Sequence, residues 1–401
     1  MSRLPEGLVR LGRHRNVMRE IREYGLQRSK EVGAENVLDF SLGNPSVAPP
    51  AQVNDTIREI LAGPEAASVH GYTSAQGDQG VREALAASLT RRFGMPYRAD
   101  DLYLTVGAAA ALCCVFRALA CPGDEFVLLA PYFTEYDVFI RENGGKPVVV
   151  PPDYETFQPD LEALAKSVGP QTKGVVVNSP NNPSGVIYPA ETVGKIAALL
   201  REREAEYGHP IYLISDEPYR EIVFQGYSVP WLPAFYDDTI VCYSYSKSLS
   251  LPGERIGYVL VGEKVAERED LYAAVCGAGR ALGYVNAPSL FQRVAAACDG
   301  LTADLEVYQT NRDLLYRGLR EMGYTCAEPG GTFYLLLKSP EPDAGAFCQR
   351  ARAYDLLFPP ADDFACPGWC RIAFCTSTET VKKALPLFKK LAEEYGLEAK
   401  A

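Results

Sequence analysis

Short runs of β-branched and aromatic residues punctuate the chain at Tyr103–Val106, Phe126–Leu129, Val148–Val150, Val175–Val177, Tyr212–Ile214, Thr239–Tyr243 and Tyr258–Val261. Their length and bounding turn residues predict seven strands. Several are continuously apolar, the pattern of strands covered on both faces. Helical spacing fills many of the gaps: Val81, Leu85 and Leu89 recur at four-residue spacing, and the stretch 192–203 sets Val193, Ile196, Ala197 and Leu200 on one side. Strands alternating with helices predict an α/β fold with a mainly parallel seven-stranded sheet flanked by helices. From about Ala287 the pattern changes to long helical stretches at Leu290–Tyr316 and Glu379–Tyr395 around two apolar runs, Phe333–Leu337 and Arg371–Phe374. That change predicts a smaller α+β domain, built from residues 1–45 and 290–401 beside a large domain of 46–289. No Pro/Gly/Ser linker divides the two, so tight packing between them is expected.

Composition narrows the function classes. The 401 residues, 47% apolar and 23% charged, are globular and long enough for two domains. A net charge of −11, with the 40 Lys and Arg scattered along the chain, argues against a nucleic-acid partner. Met1–Arg28 carries no apolar h-region, so no secretory signal is visible and a cytoplasmic location is expected. The longest apolar stretch, Val106–Phe116, falls short of the roughly 20 residues that cross a bilayer. The 11 Cys are odd in number and irregularly spaced, and Cys113, Cys114, Cys242 and Cys298 sit in apolar runs. Reduced core thiols are the expectation. Cys366, Cys370 and Cys375 lack paired spacing and a nearby His, so packing explains them better than a metal.

In an open α/β sheet, ligands sit outside the carboxyl ends of the strands. The polar residues that follow apolar runs here form a set. Gly107-Ala108-Ala109 leads from a strand into the helix-forming run Ala108–Leu119, whose free amides suit a phosphate. Asp216 ends a buried run, where a carboxylate needs a partner. Lys247 follows Ser244 and Ser246 in a segment poor in charge, where desolvation favours a neutral nucleophilic amine. Each also has an ordinary reading: a strand-to-helix turn, a helix N-cap, and a surface lysine.

Four separated motifs carry a resemblance: Asn178-Ser-Pro-Asn-Asn-Pro-Ser-Gly185, Asp216-Glu-Pro-Tyr219, Ser244-Tyr-Ser-Lys247 running on to Arg255-Ile-Gly257, and Cys370-Arg371-Ile-Ala-Phe374. In order and rough spacing they resemble the class I/II aminotransferases of pyridoxal-phosphate (PLP) fold type I, from about Gly43 to the C-terminus. The resemblance implies a PLP-dependent enzyme that moves an amino group between an L-amino acid and a 2-oxo acid, with 46–289 as the cofactor-binding domain. By the same resemblance, Lys247 holds the cofactor as a Schiff base and shuttles the proton from substrate Cα. Asp216 keeps the pyridine nitrogen protonated so that the ring accepts electrons. Asn182 and Tyr219 hydrogen-bond the phenolic oxygen. The phosphate is held by Gly107, Ala108, Ala109, Ser244, Ser246 and Arg255, with Tyr72 reaching in from a second subunit, which implies a homodimer with shared active sites. Phe133 stacks on the ring, with Tyr132 as the alternative. Arg371 clamps the α-carboxylate with two hydrogen bonds, a geometry lysine cannot reproduce, and Gly43 and Asn182 lie against the same substrate.

Substrate identity is less determined. Some bacterial aspartate aminotransferases carry a lysine in the phosphate loop, whereas this chain has Ala108-Ala109-Ala110-Ala111. Arg280 lies shortly before Asn286-Ala287-Pro288, in a segment that resembles the one from which other aspartate aminotransferases send an arginine across the dimer, though at different spacing. It is the candidate reader of a side-chain carboxylate, so an aspartate or glutamate substrate is an expectation only. A carbon–sulfur β-lyase using the same Lys247 chemistry is an alternative. A non-catalytic PLP-binding regulatory module is a remote one, since the region before the first motif is too short for a winged helix and the overall charge is acidic.

Overall fold

The computed structural model describes residues 4–13, 17–64 and 66–398. Eleven strands occur among these residues: β1 (Leu38–Asp39), β2 (Leu102–Thr105), β3 (Glu125–Leu129), β4 (Lys146–Val150), β5 (Thr172–Asn178), β6 (Tyr212–Asp216), β7 (Thr239–Ser244), β8 (Gly257–Val261), β9 (Tyr334–Lys338), β10 (Leu356–Leu357) and β11 (Trp369–Ala373). Seven of them form one sheet in the order β2-β8-β7-β6-β5-β3-β4. Strands β3 to β7 pair in parallel, and β8 runs antiparallel to both of its neighbours. All seven predicted apolar runs are strands of this sheet.

Both faces of the sheet are covered, which explains the near-continuous apolar character of its strands. On one face Val176, Ile214 and Ile240 pack with Leu112, Val115 and Phe116 of the Ala108–Leu119 helix and Val275 of the Arg268–Leu282 helix. On the other, Val175, Val177 and Leu213 meet Val193, Ile196 and Leu200 of the Ala190–Tyr207 helix. Alternate residues of one strand therefore serve two cores.

The remaining strands form two small pairs. β9 and β11 are antiparallel, with Arg371 opposite Leu336, and β1 pairs in parallel with β10. The helices Glu306–Glu321 and Thr378–Glu394 pack against this region through Leu315, Leu319, Phe388 and Leu391. One expectation is corrected here: the stretch Leu290–Tyr316 is not one helix. The helix Ser289–Cys298 ends at Asp299, and a second starts at Glu306. Asp299 is drawn away to Ser88, Arg92 and Tyr245, and Gly300 takes φ +83°, a left-handed conformation that stops the helix. The N-terminal segment, read only as polar, contains helices at Glu6–Arg13 and Val17–Val32. No described helix is long and apolar enough to cross a membrane.

Candidate active site

The carboxyl ends of β5, β6 and β7 lie side by side, and register fixes what they carry. Asn178 is level with Asp216, and Asp216 with Cys242, two residues before Ser244. Above these ends lies a cavity of about 350 Å³. Lys247, Asp216, Tyr219, Asn182, Ser244, Ser246, Arg255, Ala108, Ala109, Phe133, Gly43 and Arg371 all line it. Residues separated by more than 300 positions thus converge on one space: Gly43 and, on β11, Arg371 line it together, and Arg371 reaches Asn182 in the loop after β5.

One end of the cavity is built for an anion. The Ala108–Leu119 helix starts here, and geometry leaves its first-turn amides without intrahelical partners. Ser244 Oγ and Ser246 Oγ lie 2.7 Å apart, and Arg255 Nη1 donates to Ser246 Oγ at 3.2 Å. Gly107 itself does not line the cavity; it opens the cradle at φ +88°, where a Cβ would meet the Arg255 guanidinium and push it aside.

Asp216 sits on the floor. Burial pushes its carboxyl up to about 7, the hydrogen bond from Tyr136 opposes this, and the charge of Glu217 adds to it. Tyr136 Oη donates to Asp216 Oδ2, whereas Oδ1 is buried without a partner. An orphaned carboxylate oxygen facing a cavity calls for a cationic or N–H ligand.

Lys247 lies between these ends. It belongs to the short Tyr245–Ser248 helix, capped by Ser244, and its Nζ donates to Gly43 O at 2.6 Å. Burial lowers its amine to about 8; Cys375 opposes the shift, and the charges of Arg371 and Arg255 add to it. The amine therefore keeps a far larger neutral fraction near neutrality than an ordinary lysine, as a nucleophile or proton acceptor requires.

At the far end, Arg371 is 5% exposed. Its guanidinium is held between the rings of Tyr334 and Phe364, at 4.6 and 4.8 Å from their centroids. It donates to Ser41 O at 2.6 Å and to Asn182 Oδ1 at 3.3 Å, while Nε has no partner. No carboxylate among the described residues forms an ion pair with it, so this buried cation is suited to an anionic ligand. Because Arg371 can only donate, it fixes the Asn182 amide with the oxygen towards itself and the NH2 free for the cavity.

The structure separates the sequence candidates. Phe133 lines the cavity, but Tyr132 does not. Tyr72 is 98% exposed and Arg280 is exposed, and neither lines the cavity of its own chain. Gly43 packs under the Tyr334 hydroxyl, which overlaps the place of a Cβ, and its carbonyl faces Lys247. Sequence reasoning missed Tyr136, Tyr334, Phe364 and Ser41. Only Tyr136 left a trace, as an aromatic one helical turn beyond Phe133. Cys366, Cys370 and Cys375 are buried, with Cys370 Sγ 3.5 Å from Cys348 Sγ, and all 11 cysteines are free.

Comparison with known proteins gives a consistent picture. Residues 35–386 match the family described as Aminotransferase class I and II. The aspartate/prephenate aminotransferase of Thermus thermophilus is 30% identical over 362 residues, spanning 89% of this chain and 91% of the relative. A probable aspartate/prephenate aminotransferase of Thermus aquaticus is 31% identical over 359 residues, covering 88% and 91%. Among solved structures, an aminotransferase from Eubacterium rectale superposes with a TM-score of 0.96 at 51% identity, covering 98% of this chain and all of that one. The Thermus thermophilus aspartate aminotransferase with maleate gives 0.84 at 27% identity, with 98% and 100% coverage.

Proposed function

We propose, from the premise that the chain belongs to the class I and II aminotransferases and is a transaminase, that it works with pyridoxal 5'-phosphate in the cavity above β5, β6 and β7, where Lys247 would supply the amine that holds the cofactor and the base that moves the substrate proton. The observation that carries this reading is the pairing of two uncompensated buried groups in one cavity, Asp216 Oδ1 on the floor and Arg371 Nε at the end, with a depressed lysine between them. The residues fit such a cofactor: an anion cradle for its phosphate, a carboxylate for its ring nitrogen, and an amine for its carbonyl. When bound, pyridoxal phosphate supplies the electron sink that makes the substrate Cα–H acidic.

The chain's own groups account for the rest. Ser244, Ser246, Arg255 and the amides of Ala108 and Ala109, at the helix that Gly107 opens, hold the phosphate through charge-assisted hydrogen bonds. Phe133 covers the ring face, and Asn182 and Tyr219 donate towards its oxygen. Arg371 binds the substrate α-carboxylate with two parallel hydrogen bonds and orients Cα towards Lys247. Lys247 Nζ, released from its bond to Gly43 O, takes the Cα proton and returns it, which its lowered basicity favours. We read residues 46–289 as the cofactor-binding domain and 1–45 with 290–401 as the smaller one, on the grouping of the strands into one large and two small sheets. Tyr72 and Arg280, exposed in one chain, are read as contributions to a second copy's site in a homodimer. The reduced cysteines support a cytosolic setting.

An acidic substrate side chain needs a further cation, and Arg280 of a second copy is its candidate source. The test is a panel of amino acids mixed one at a time with the cofactor-loaded protein, following the absorbance of each half-reaction and assaying 2-oxo acid and pyruvate. Conversion of the cofactor to its amine form, reversed by a 2-oxo acid, is expected. Release of pyruvate and thiol from cysteine conjugates without that conversion would replace the reading with a β-lyase.

A further inference from the structure

Asp216 has two carboxylate oxygens, and the structure treats them differently. Oδ2 accepts a hydrogen bond from the Tyr136 hydroxyl, and Oδ1 is buried and unpartnered. Tyr136 is 1% exposed and lies in the first turn of the Glu135–Glu142 helix. It is not part of the cavity wall and therefore reaches Asp216 from behind. Its ring also meets that of Phe133 edge-on at a centroid distance of 5.6 Å, and that of Tyr132 at 6.3 Å. One side chain thus touches both groups that would bracket a cofactor ring, the carboxylate at its nitrogen and the aromatic on its face.

We propose that Tyr136 is a positioning residue for the transamination chemistry: its hydroxyl fixes Asp216 so that Oδ1 alone is presented to a ring N–H, and its ring braces Phe133. This inference rests on the reading that pyridoxal phosphate occupies the cavity. The physical argument has two parts. A carboxylate free to rotate about its Cβ–Cγ bond offers either oxygen in many orientations, and a donor on Oδ2 removes that freedom before the ligand arrives. The donor is also neutral. An arginine or lysine in its place would neutralise Asp216 and compete with a cationic ring nitrogen, whereas a phenol orients the carboxylate and leaves its charge available. Burial and the neighbouring Asp216 hold the Tyr136 phenol well above its ordinary range, so it remains a donor at every working pH.

The other titratable groups that face Asp216 are Glu217, which is paired with Arg220, Tyr219, and Cys242 on the adjacent strand. Burial raises Tyr219 and Cys242 well above their ordinary values, so neither changes charge near neutrality. The pH response of this floor therefore belongs to Asp216, and removing the Tyr136 hydroxyl shifts it upwards, because that hydrogen bond favours the carboxylate.

The test compares Tyr136→Phe and Tyr136→Leu with the natural chain, measuring pyridoxal phosphate binding to the cofactor-free protein as a function of pH, then kcat and KM. Tyr136→Phe keeps the ring packing. It is expected to weaken cofactor binding at pH 7 by roughly tenfold to a hundredfold, the cost of losing a hydrogen bond to a charged group. The midpoint of the binding–pH curve should move up, and kcat should fall with the amino-acid KM little changed. Tyr136→Leu should add a further loss of affinity through Phe133. A merely structural tyrosine would lower the melting temperature of Tyr136→Phe without moving the pH midpoint, and that outcome overturns the proposal. If the natural chain itself fails to bind the cofactor, the reading of the cavity falls instead. Tight binding by the natural chain with an unchanged Tyr136→Phe curve rejects only the role of Tyr136.

Discussion

Asp216 shows how a functional residue is held at the expense of the fold. Its folded carboxyl is raised from 3.8 to about 7, chiefly by burial. Between about pH 4 and 7 the folded chain keeps a proton that the unfolded chain has lost, so stability falls as pH rises through that window and the full cost remains above it. Asp216→Asn, which cannot ionise, should therefore melt a few degrees above the natural chain at pH 8 when both are cofactor-free, with the gap closing towards pH 4. Calorimetry across that range checks it, and equal melting at pH 8 would contradict it. At this scale the sequence was partly legible. Lys247 and Asp216 stood out as polar residues after apolar runs, Asn182, Arg255 and Arg371 took their roles from the four family motifs, and all five line the cavity. Tyr136, Tyr334 and Phe364 did not, because an aromatic beside an apolar run reads as core until its hydroxyl or ring face is seen to meet a polar group.

Among elements, the turn from β2 into the Ala108–Leu119 helix carries the most chemistry in the fewest atoms. Gly107 combines a positive φ with a close approach of Arg255, so a side chain there meets both backbone strain and a displaced guanidinium. Gly107→Ala is expected to cost about 1–3 kcal/mol of stability, because φ +88° with ψ 176° is a backbone conformation essentially reserved for glycine. It should also loosen the cofactor's phosphate end at least tenfold, and inorganic phosphate should compete more effectively in a titration of the variant. Full cofactor affinity in Gly107→Ala would count against the cradle. The strands were legible as elements because strands buried on both faces leave apolar runs of the right length. The helix break at Asp299 was not, since its cause is a set of long-range bonds to Ser88, Arg92 and Tyr245. Nor was the β1–β10 pair, two residues on each side.

For the whole molecule, the proposal turns on what a second copy supplies. Tyr72 and Arg280 are exposed and stand outside their own chain's cavity. If Tyr72 completes a neighbour's phosphate site, two defective chains should repair each other. In a hybrid of Lys247→Ala and Tyr72→Ala, the Tyr72→Ala chain keeps its own lysine and receives an intact tyrosine. Mixing the two variants should restore one tight, active site per dimer, measured by cofactor titration and turnover. No recovery in a mixture that demonstrably forms hybrids would contradict shared sites. No periodicity in the sequence pointed to this arrangement; only the family resemblance did, because a residue serving another chain looks like any exposed side chain in its own.

The central claim is that Lys247, among 401 residues, bears the amine that bonds the cofactor. Reducing the cofactor-loaded protein with borohydride, digesting it and mapping the pyridoxyl mass tests this most directly. The label should appear once per chain, on Lys247, and disappear when an amino-acid donor is added before reduction. A label on another lysine, or an active enzyme with no label at all, would contradict it.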